Sequence, residues 1–236
     1  MLVSLVKLIL LYPITLVFSV WALMAIPFDQ SGRYFRMSPW WWSRFIFWFF
    51  GMKVSVLGYE NIDPMKPYIF VSNHASMFDI PTVFVALKGN VNIVFKKELT
   101  YVPIWGWALR YGHFIMIDRS NPRNAMASIE RAVQSIRKGS SVILFPEGTR
   151  TLDGKLQPFK RGAFSLAAKA GVPVVPLTIN GTFTIMPKGS LNIKPANISV
   201  VLGKPISTLG LNGKDGELEL MEQVHRVIEK NYMNQS

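Results

Sequence analysis

Five short apolar runs, at residues 68–72, 91–95, 114–117, 141–145 and 174–179, recur along the middle of the chain with stretches of helical period between several of them. A run that is apolar at almost every position suits a strand buried on both faces, which is the situation in a parallel sheet covered by helices. Between two of the runs, residues 125–138 place Ile129, Ala132, Val133 and Ile136 on one helical face and Arg131, Arg137 and Lys138 toward solvent, with Gly139 as a natural stop. The alternation predicts an α/β domain: a largely parallel central sheet flanked by helices. Nearer the end, residues 191–194 and 198–202 flank Pro195-Ala196-Asn197 and predict an edge hairpin, and 217–232 reads as an amphipathic closing helix.

The first fifty residues have another character. From Leu8 to Phe28 there are 21 residues without a charge. At a rise of roughly 1.5 Å per residue, a helix of that length just crosses a hydrocarbon core of roughly 30 Å. Pro13 and Pro27 interrupt or bound it. A second apolar run at 39–51 holds Trp40, Trp41, Trp42 and Trp48, residues expected at a headgroup boundary, and with thirteen residues it is too short to span. The two runs are joined by a polar stretch at 29–36. They predict a helical hairpin entering one leaflet, or a true span by the first run with Arg33, Arg36 and Arg44 held on the cytoplasmic side. A cleaved signal peptide fits less well: Lys7 is the one early positive charge, a proline interrupts the run, and Leu23-Met24-Ala25 is a poor cleavage site. The expected organisation is an apolar membrane-anchoring segment at 1–51 and a catalytic domain at 52–236, on the cytoplasmic face of the cell (inner) membrane.

Cysteine is absent, which excludes disulfides, a thiolate nucleophile and zinc held through sulfur. The net charge of +12 asks for an anionic partner, and an apolar fraction of 50% favours a phospholipid surface with an acidic carrier protein or phosphorylated substrate over nucleic acid. Three scattered histidines make no recognisable metal-ligand set, so neither a metal nor a bound cofactor is expected. There is no Walker A sequence, dinucleotide fingerprint or Gly-x-Ser-x-Gly elbow.

Two motifs carry the chemistry: Asn73-His74-Ala75-Ser76-Met77-Phe78-Asp79, and Phe145-Pro146-Glu147-Gly148-Thr149-Arg150. Imidazole is the ordinary protein base near neutral pH, and a carboxylate on its other nitrogen fixes the tautomer and stabilises the imidazolium. Five residues on one helix turn ~500°, leaving side chains ~140° apart, so His74 and Asp79 do not share a helical face. His74 belongs just after the strand ending at Ser72. Asp79 belongs at a helix start, because Pro81 is tolerated in a first turn. The site then lies beyond a strand's carboxyl end, as ligands do in open α/β sheets. Glu147 to Arg150 follow another strand, where Gly148 allows close backbone approach to a phosphate and the Arg150 fork can grip it. Arg119 follows a third strand and Lys96 and Lys97 a fourth.

The order and spacing resemble the glycerolipid acyltransferases, above all the lysophosphatidic acid acyltransferases, whose first block reads Asn-His-x-Ser-x-x-Asp and whose third reads Phe-Pro-Glu-Gly-Thr-Arg. Residues 112–119 and 172–177 resemble the two remaining blocks, and the likeness runs from about Val54 to about Leu202. Thr151 stands where many relatives have serine. The resemblance implies transfer of a fatty acyl chain from acyl-ACP or acyl-CoA to the free hydroxyl of lysophosphatidic acid, with His74 as general base and Asp79 orienting it. It implies substrate contacts from Arg119, Glu147, Gly148, Thr149, Arg150 and Lys96, the last from a Lys-x-Glu-Leu segment. Glu147 has two readings, a ligand for a substrate hydroxyl or a partner ordering Arg150. Asn73 and Ser76 are supporting, Ser76 as a local cap or a substrate contact. His113 and His225 lack a matched carboxylate and read as structural. An apolar tunnel for the acyl chain is expected between helices and the aromatic segment. The same motifs admit another acceptor (glycerol 3-phosphate or an amino-acid lysolipid), a His/Asp-dependent ester or thioester hydrolase, or a membrane-binding protein without catalysis.

Overall fold

The structure, a computed structural model, describes residues 2–29, 32–118, 122–211 and 213–233. Two helices come first, α1 (Leu2–Ala25) and α2 (Arg33–Phe50). The α/β domain follows: β1 (Val54–Leu57), β2 (Ile69–Ser72), α3 (Asp79–Ala86), β3 (Asn92–Lys96), α4 (Trp105–Tyr111), β4 (Ile115–Ile117), α5 (Pro122–Arg137), β5 (Val142–Leu144), α6 (Gly162–Ala170), β6 (Val174–Asn180), α7 (Thr182–Ile185), β7 (Ile198–Leu202) and α8 (Gly213–Asn231).

The seven strands form one sheet in the order β1-β7-β6-β2-β5-β3-β4. β6, β2, β5, β3 and β4 are mutually parallel, β7 runs antiparallel to β6, and β1 is parallel to β7. All seven residues of β6 are buried, as a central strand requires. Alternate residues feed two cores. Phe70 and Ile93 face a layer that includes Phe47, Phe50, Phe78 and Phe84 from α2, the loop after β2, and α3. Ile69, Val71, Val142 and Val174 face Ile136, Phe164, Val224 and Ile228 of α5, α6 and α8.

Two expectations about the sheet are corrected. Residues 191–194 form no strand; Ser4 of α1 accepts the Ile193 N–H (3.1 Å), and the Lys194 N–H donates to Ile185 O (2.9 Å). The residues expected as the second arm of an edge hairpin are β7, an interior strand whose free side is taken by β1 through Val54↔Ile198 to Leu57↔Val201. β1 itself alternates half-buried and exposed residues over four positions, a weak pattern in the sequence.

The aromatic run belongs to a longer helix than its thirteen residues suggest, because α2 begins at Arg33, inside the stretch read as a polar turn. Asp29, buried, accepts the N–H groups of Arg33 (3.0 Å) and Phe35 (2.7 Å), which satisfies donors that a helix start leaves open. Ser38 Oγ donates to Phe18 O (2.6 Å) and Trp42 Nε1 to Thr15 Oγ1 (3.0 Å), joining α2 to α1. The segment Val3–Phe28 has a mean hydropathy of 2.2 and, among the described residues, is the one helical stretch long and apolar enough to cross a membrane.

Candidate active site

The two motifs sit at the carboxyl ends of β2 and β5, which are neighbours in the sheet. His74 follows β2 on an irregular segment and Asp79 opens α3, with Pro81 in the first turn as its missing N–H permits. His74 Nδ1 lies 2.7 Å from Asp79 Oδ2. The same oxygen accepts the N–H groups of Ala75 (2.7 Å) and Ser76 (2.9 Å). Asp79 is fully buried and its Oδ1 has no hydrogen-bond partner within the protein. A carboxylate so held is an acceptor, so Nδ1 carries the proton and Nε2 is left as the basic nitrogen.

The second motif grips His74 from the other side. The His74 N–H donates to Glu147 Oε1 (2.8 Å), the Thr151 N–H donates to His74 O (2.9 Å), and the imidazole stacks on the Phe145 ring with centroids 4.2 Å apart. Asn73 is the tether to β6: its Nδ2 donates to Ile179 O (2.9 Å) and its Oδ1 accepts the Ile179 N–H (2.8 Å). Ser76 Oγ donates to Met186 O (2.9 Å) and is buried, which makes it a brace of the loop.

Glu147 ties the second motif to the loop that carries His74. One carboxylate oxygen holds the His74 amide and the other accepts Gln157 Nε2 (3.0 Å), which also donates to Thr149 O (3.3 Å). Burial pushes the Glu147 carboxyl up to about 7, against the two hydrogen bonds that favour its charged form, with the Asp79 charge adding to the rise. Folding therefore disfavours ionisation of this group. Its contribution to stability is fully present below the ordinary value of 4.5 and is lost as pH rises through about 7. Parent protein is expected to lose ~1–3 kcal/mol of stability between pH 5 and pH 8 that Glu147→Gln does not lose. Thermal midpoints of both proteins across that range check this; parallel curves would remove Glu147 as the cause.

The family resemblance favours Lys96 over Lys97 as a phosphate contact, and the structure gives the two lysines different surroundings. Lys97 Nζ pairs with Asp118 (2.9 Å), a hydrogen bond that raises its pKa, whereas Lys96, the last residue of β3, is exposed at the mouth of a cavity beside His74. Arg150 is half-buried with no ion pair among the described residues. Arg119 lies outside the described residues. Two further cations were not singled out in the sequence. A Cβ built on Gly148 (φ +77°) would lie 2.9 Å from Lys160 Nζ, so glycine makes room for that ammonium, and Lys188 Nζ donates to Thr149 Oγ1 (2.9 Å). Neither follows a motif or strand end, and Lys160, Lys188 and Gln157 reach the loop only through the tertiary fold. His113 Nε2 lies 3.2 Å from Asp29 O, and His225 stands edge-on to Phe159, structural surroundings in both cases.

The cavity has a volume of about 500 Å³. His74, Lys96, Gly148 and Lys160 line its polar part; Val94, Ile117, Ile129, Leu144, Ala163 and Leu166 line the rest. It lies on the face of the sheet covered by α5 and α6, not against the aromatic segment of α2, which packs on the opposite face.

These features define a class: an α/β domain that holds a His–Asp pair at the carboxyl end of a parallel sheet, beside a largely apolar cavity to which Lys96 and Lys160 contribute. Comparison with known proteins agrees. The Acyltransferase family matches residues 53–180. The chain is 39% identical over 183 residues to a chloroplastic 1-acyl-sn-glycerol-3-phosphate acyltransferase of Brassica napus, covering 76% of this chain and 52% of that protein. It is 36% identical over 191 residues to the 1-acyl-sn-glycerol-3-phosphate acyltransferase of Pseudomonas aeruginosa, covering 78% and 72%. The crystal structure of the 1-acyl-sn-glycerophosphate (LPA) acyltransferase PlsC from Thermotoga maritima superposes with a TM-score of 0.83 at 26% identity, over 98% of this chain and 95% of that one. The chain belongs to the acyltransferase family, and it spans about half the length of the plant relatives it matches.

Proposed function

We propose that the protein moves a fatty acyl chain from a thioester, acyl-ACP or acyl-CoA, to the sn-2 hydroxyl of lysophosphatidic acid, giving phosphatidic acid. The observation that carries this reading is the 2.7 Å His74–Asp79 pair opening on an apolar cavity with Lys96 and Lys160 at its mouth. His74 Nε2 takes the hydroxyl proton as the acceptor oxygen bonds to the thioester carbonyl carbon. Asp79 stabilises the imidazolium. The C–S bond then breaks and the imidazolium proton goes to the departing sulfur, so no group is consumed and no cofactor is required. Arg150 and Arg119, with Lys96, hold the acceptor phosphate, and positioning of this kind supplies much of the rate in bimolecular transfer. Glu147 acts by holding the His74 amide, and Gly148 and Thr149 shape the phosphate side. Residues 1–51 anchor the domain at the cytoplasmic face of the membrane, with 52–236 as the catalytic unit.

The sn-2 acceptor is tested by offering purified protein in detergent a labelled acyl thioester with lysophosphatidic acid, lysophosphatidylcholine or glycerol 3-phosphate. Preferred acylation of lysophosphatidic acid supports the reading; equal use of lysophosphatidylcholine, whose phosphate is a diester, removes the cations' selection for a phosphomonoester. The cavity as acyl site makes its own prediction. Ala163→Phe fills part of the apolar body, and each methylene kept out of an apolar site forfeits ~0.8 kcal/mol, so losing room for two or three lowers kcat/KM for the longest accepted thioester ~15- to 60-fold. Short-chain thioesters are spared, and an unchanged chain-length profile would place the acyl chain elsewhere.

A further inference from the structure

We infer that residues 97–111, the spur after β3 together with α4, form a third bilayer-docking element beside α1 and α2. This rests on the membrane-anchoring reading above and extends it to a part of the catalytic domain. α4 turns one side inward: Ala108 packs with Ala22 of α1 and Phe35 of α2, and Leu109 joins the core. Its other side carries Trp107 and Tyr111, one helical turn apart and 48% and 62% exposed. Tyr101, at the end of the preceding 3₁₀ turn (Lys97–Tyr101), is 72% exposed, and Leu99 and Val102 are also outward. α1, on which α4 packs, exposes Val17, Val20, Trp21 and Met24, so the apolar surface of the anchor continues onto the α/β domain. Large apolar side chains exposed on two elements that pack together differ from the singly scattered ones a water-facing domain normally shows.

The spur is built to hold these side chains outward. A Cβ on Gly106 would lie 2.4 Å from Leu99 O, so the chain doubles back on itself there. Ile104 between them has φ +62° and ψ −64°, a conformation a β-branched residue adopts only where its surroundings impose it. Thr100 Oγ1, buried, donates to Lys97 O (2.7 Å) and fixes the turn from within. The chemistry at the tip suits one partner, a phospholipid surface. Tyrosine and tryptophan seat an apolar ring in the lipid and keep a polar edge in water. Arg110, 5.6 Å from the Tyr111 ring centroid, adds a cation that, with a chain charge of +12, outweighs Glu98, the one acid within residues 97–111, at an anionic leaflet, while nearby Asp118 is paired with Lys97. Lys96 is the residue immediately before this spur and lines the cavity beside His74. Docking the spur thus sets the cavity mouth at headgroup level, where a lysolipid is found.

The absence of cysteine makes the test free of background labelling. Single cysteines at Tyr101→Cys and Trp107→Cys, with Val17→Cys on α1 and Met126→Cys on the exposed side of α5, each carry an environment-sensitive fluorophore on the full chain. Vesicles of phosphatidylethanolamine and phosphatidylglycerol, with or without nitroxide-bearing acyl chains, are then added. The inference expects blue-shifted emission and nitroxide quenching at positions 17, 101 and 107 and neither change at 126. Quenching at 17 alone overturns the third element and leaves the anchor reading standing. Silence at all four positions overturns both.

Discussion

Replacing His74 by alanine is expected to lower acyl transfer ~10²–10⁴-fold, the usual contribution of a positioned general base, with little change in the acceptor's KM. The fold should tolerate it. The groups that fix this residue's backbone, the Glu147 carboxylate and the Thr151 amide, bond its N–H and C=O and do not depend on the ring. Asp79 Oδ2 keeps two of its three donors, the amides of Ala75 and Ser76, so the carboxylate is not orphaned. What disappears is the Nε2 lone pair at the cavity mouth and the stacking on Phe145. Steady-state rates and thermal midpoints measured on one preparation check both halves. A lost rate with a collapsed midpoint would show that the variant reports folding instead of catalysis.

Asp79→Asn is the second large effect, and it differs in kind. The carboxylate takes three donors on one oxygen in a site with no exposure. An asparagine oxygen can replace Oδ2, but the amide nitrogen then occupies the place of Oδ1, which has no partner within the protein, and the imidazolium loses its counter-charge. Rate is expected to fall ~10²–10³-fold, within the range for general acid–base groups. Stability should fall by ~1–3 kcal/mol from the unpaired buried N–H groups. Denaturant unfolding alongside kinetics separates the two losses. His74→Ala should show only the first, and a double variant should lose no more rate than His74→Ala alone, because the two residues act as one unit.

The buried centre of the sheet was legible because the sequence marks it directly. Residues 68–72, 91–95, 114–117, 141–145 and 174–179 each fall on a strand, from β2 to β6, since a strand buried on both faces must be apolar at nearly every position. Pro81 marked the start of α3, and with it the position of Asp79 relative to His74. The sheet's edge was not legible. β1 has only two inward residues, and the place of β7 depends on pairing with a strand almost 150 residues earlier, which no local pattern encodes. The beginning of α2 was hidden because Asp29 caps it while Arg33, Tyr34 and Arg36 make its first turn look like a loop. In the site the motif residues and the His74–Asp79 contact were legible, but not the contacts that join the two motifs. Nothing in the sequence marked that Glu147 holds the His74 amide, and Gln157, Lys160 and Lys188 converge on the same loop without any motif to mark them.

The central claim is that His74 removes the proton of a lysophosphatidic acid hydroxyl during direct attack on a thioester. The measurement that bears on it most directly follows a labelled acyl thioester with lysophosphatidic acid, parent beside His74→Ala, counting thiol released against labelled lipid formed. The account predicts one phosphatidic acid for each thiol in the parent and loss of both in the variant. Thiol released with labelled free fatty acid in place of phosphatidic acid, or phosphatidic acid formed at the parent's rate by the variant, would contradict it.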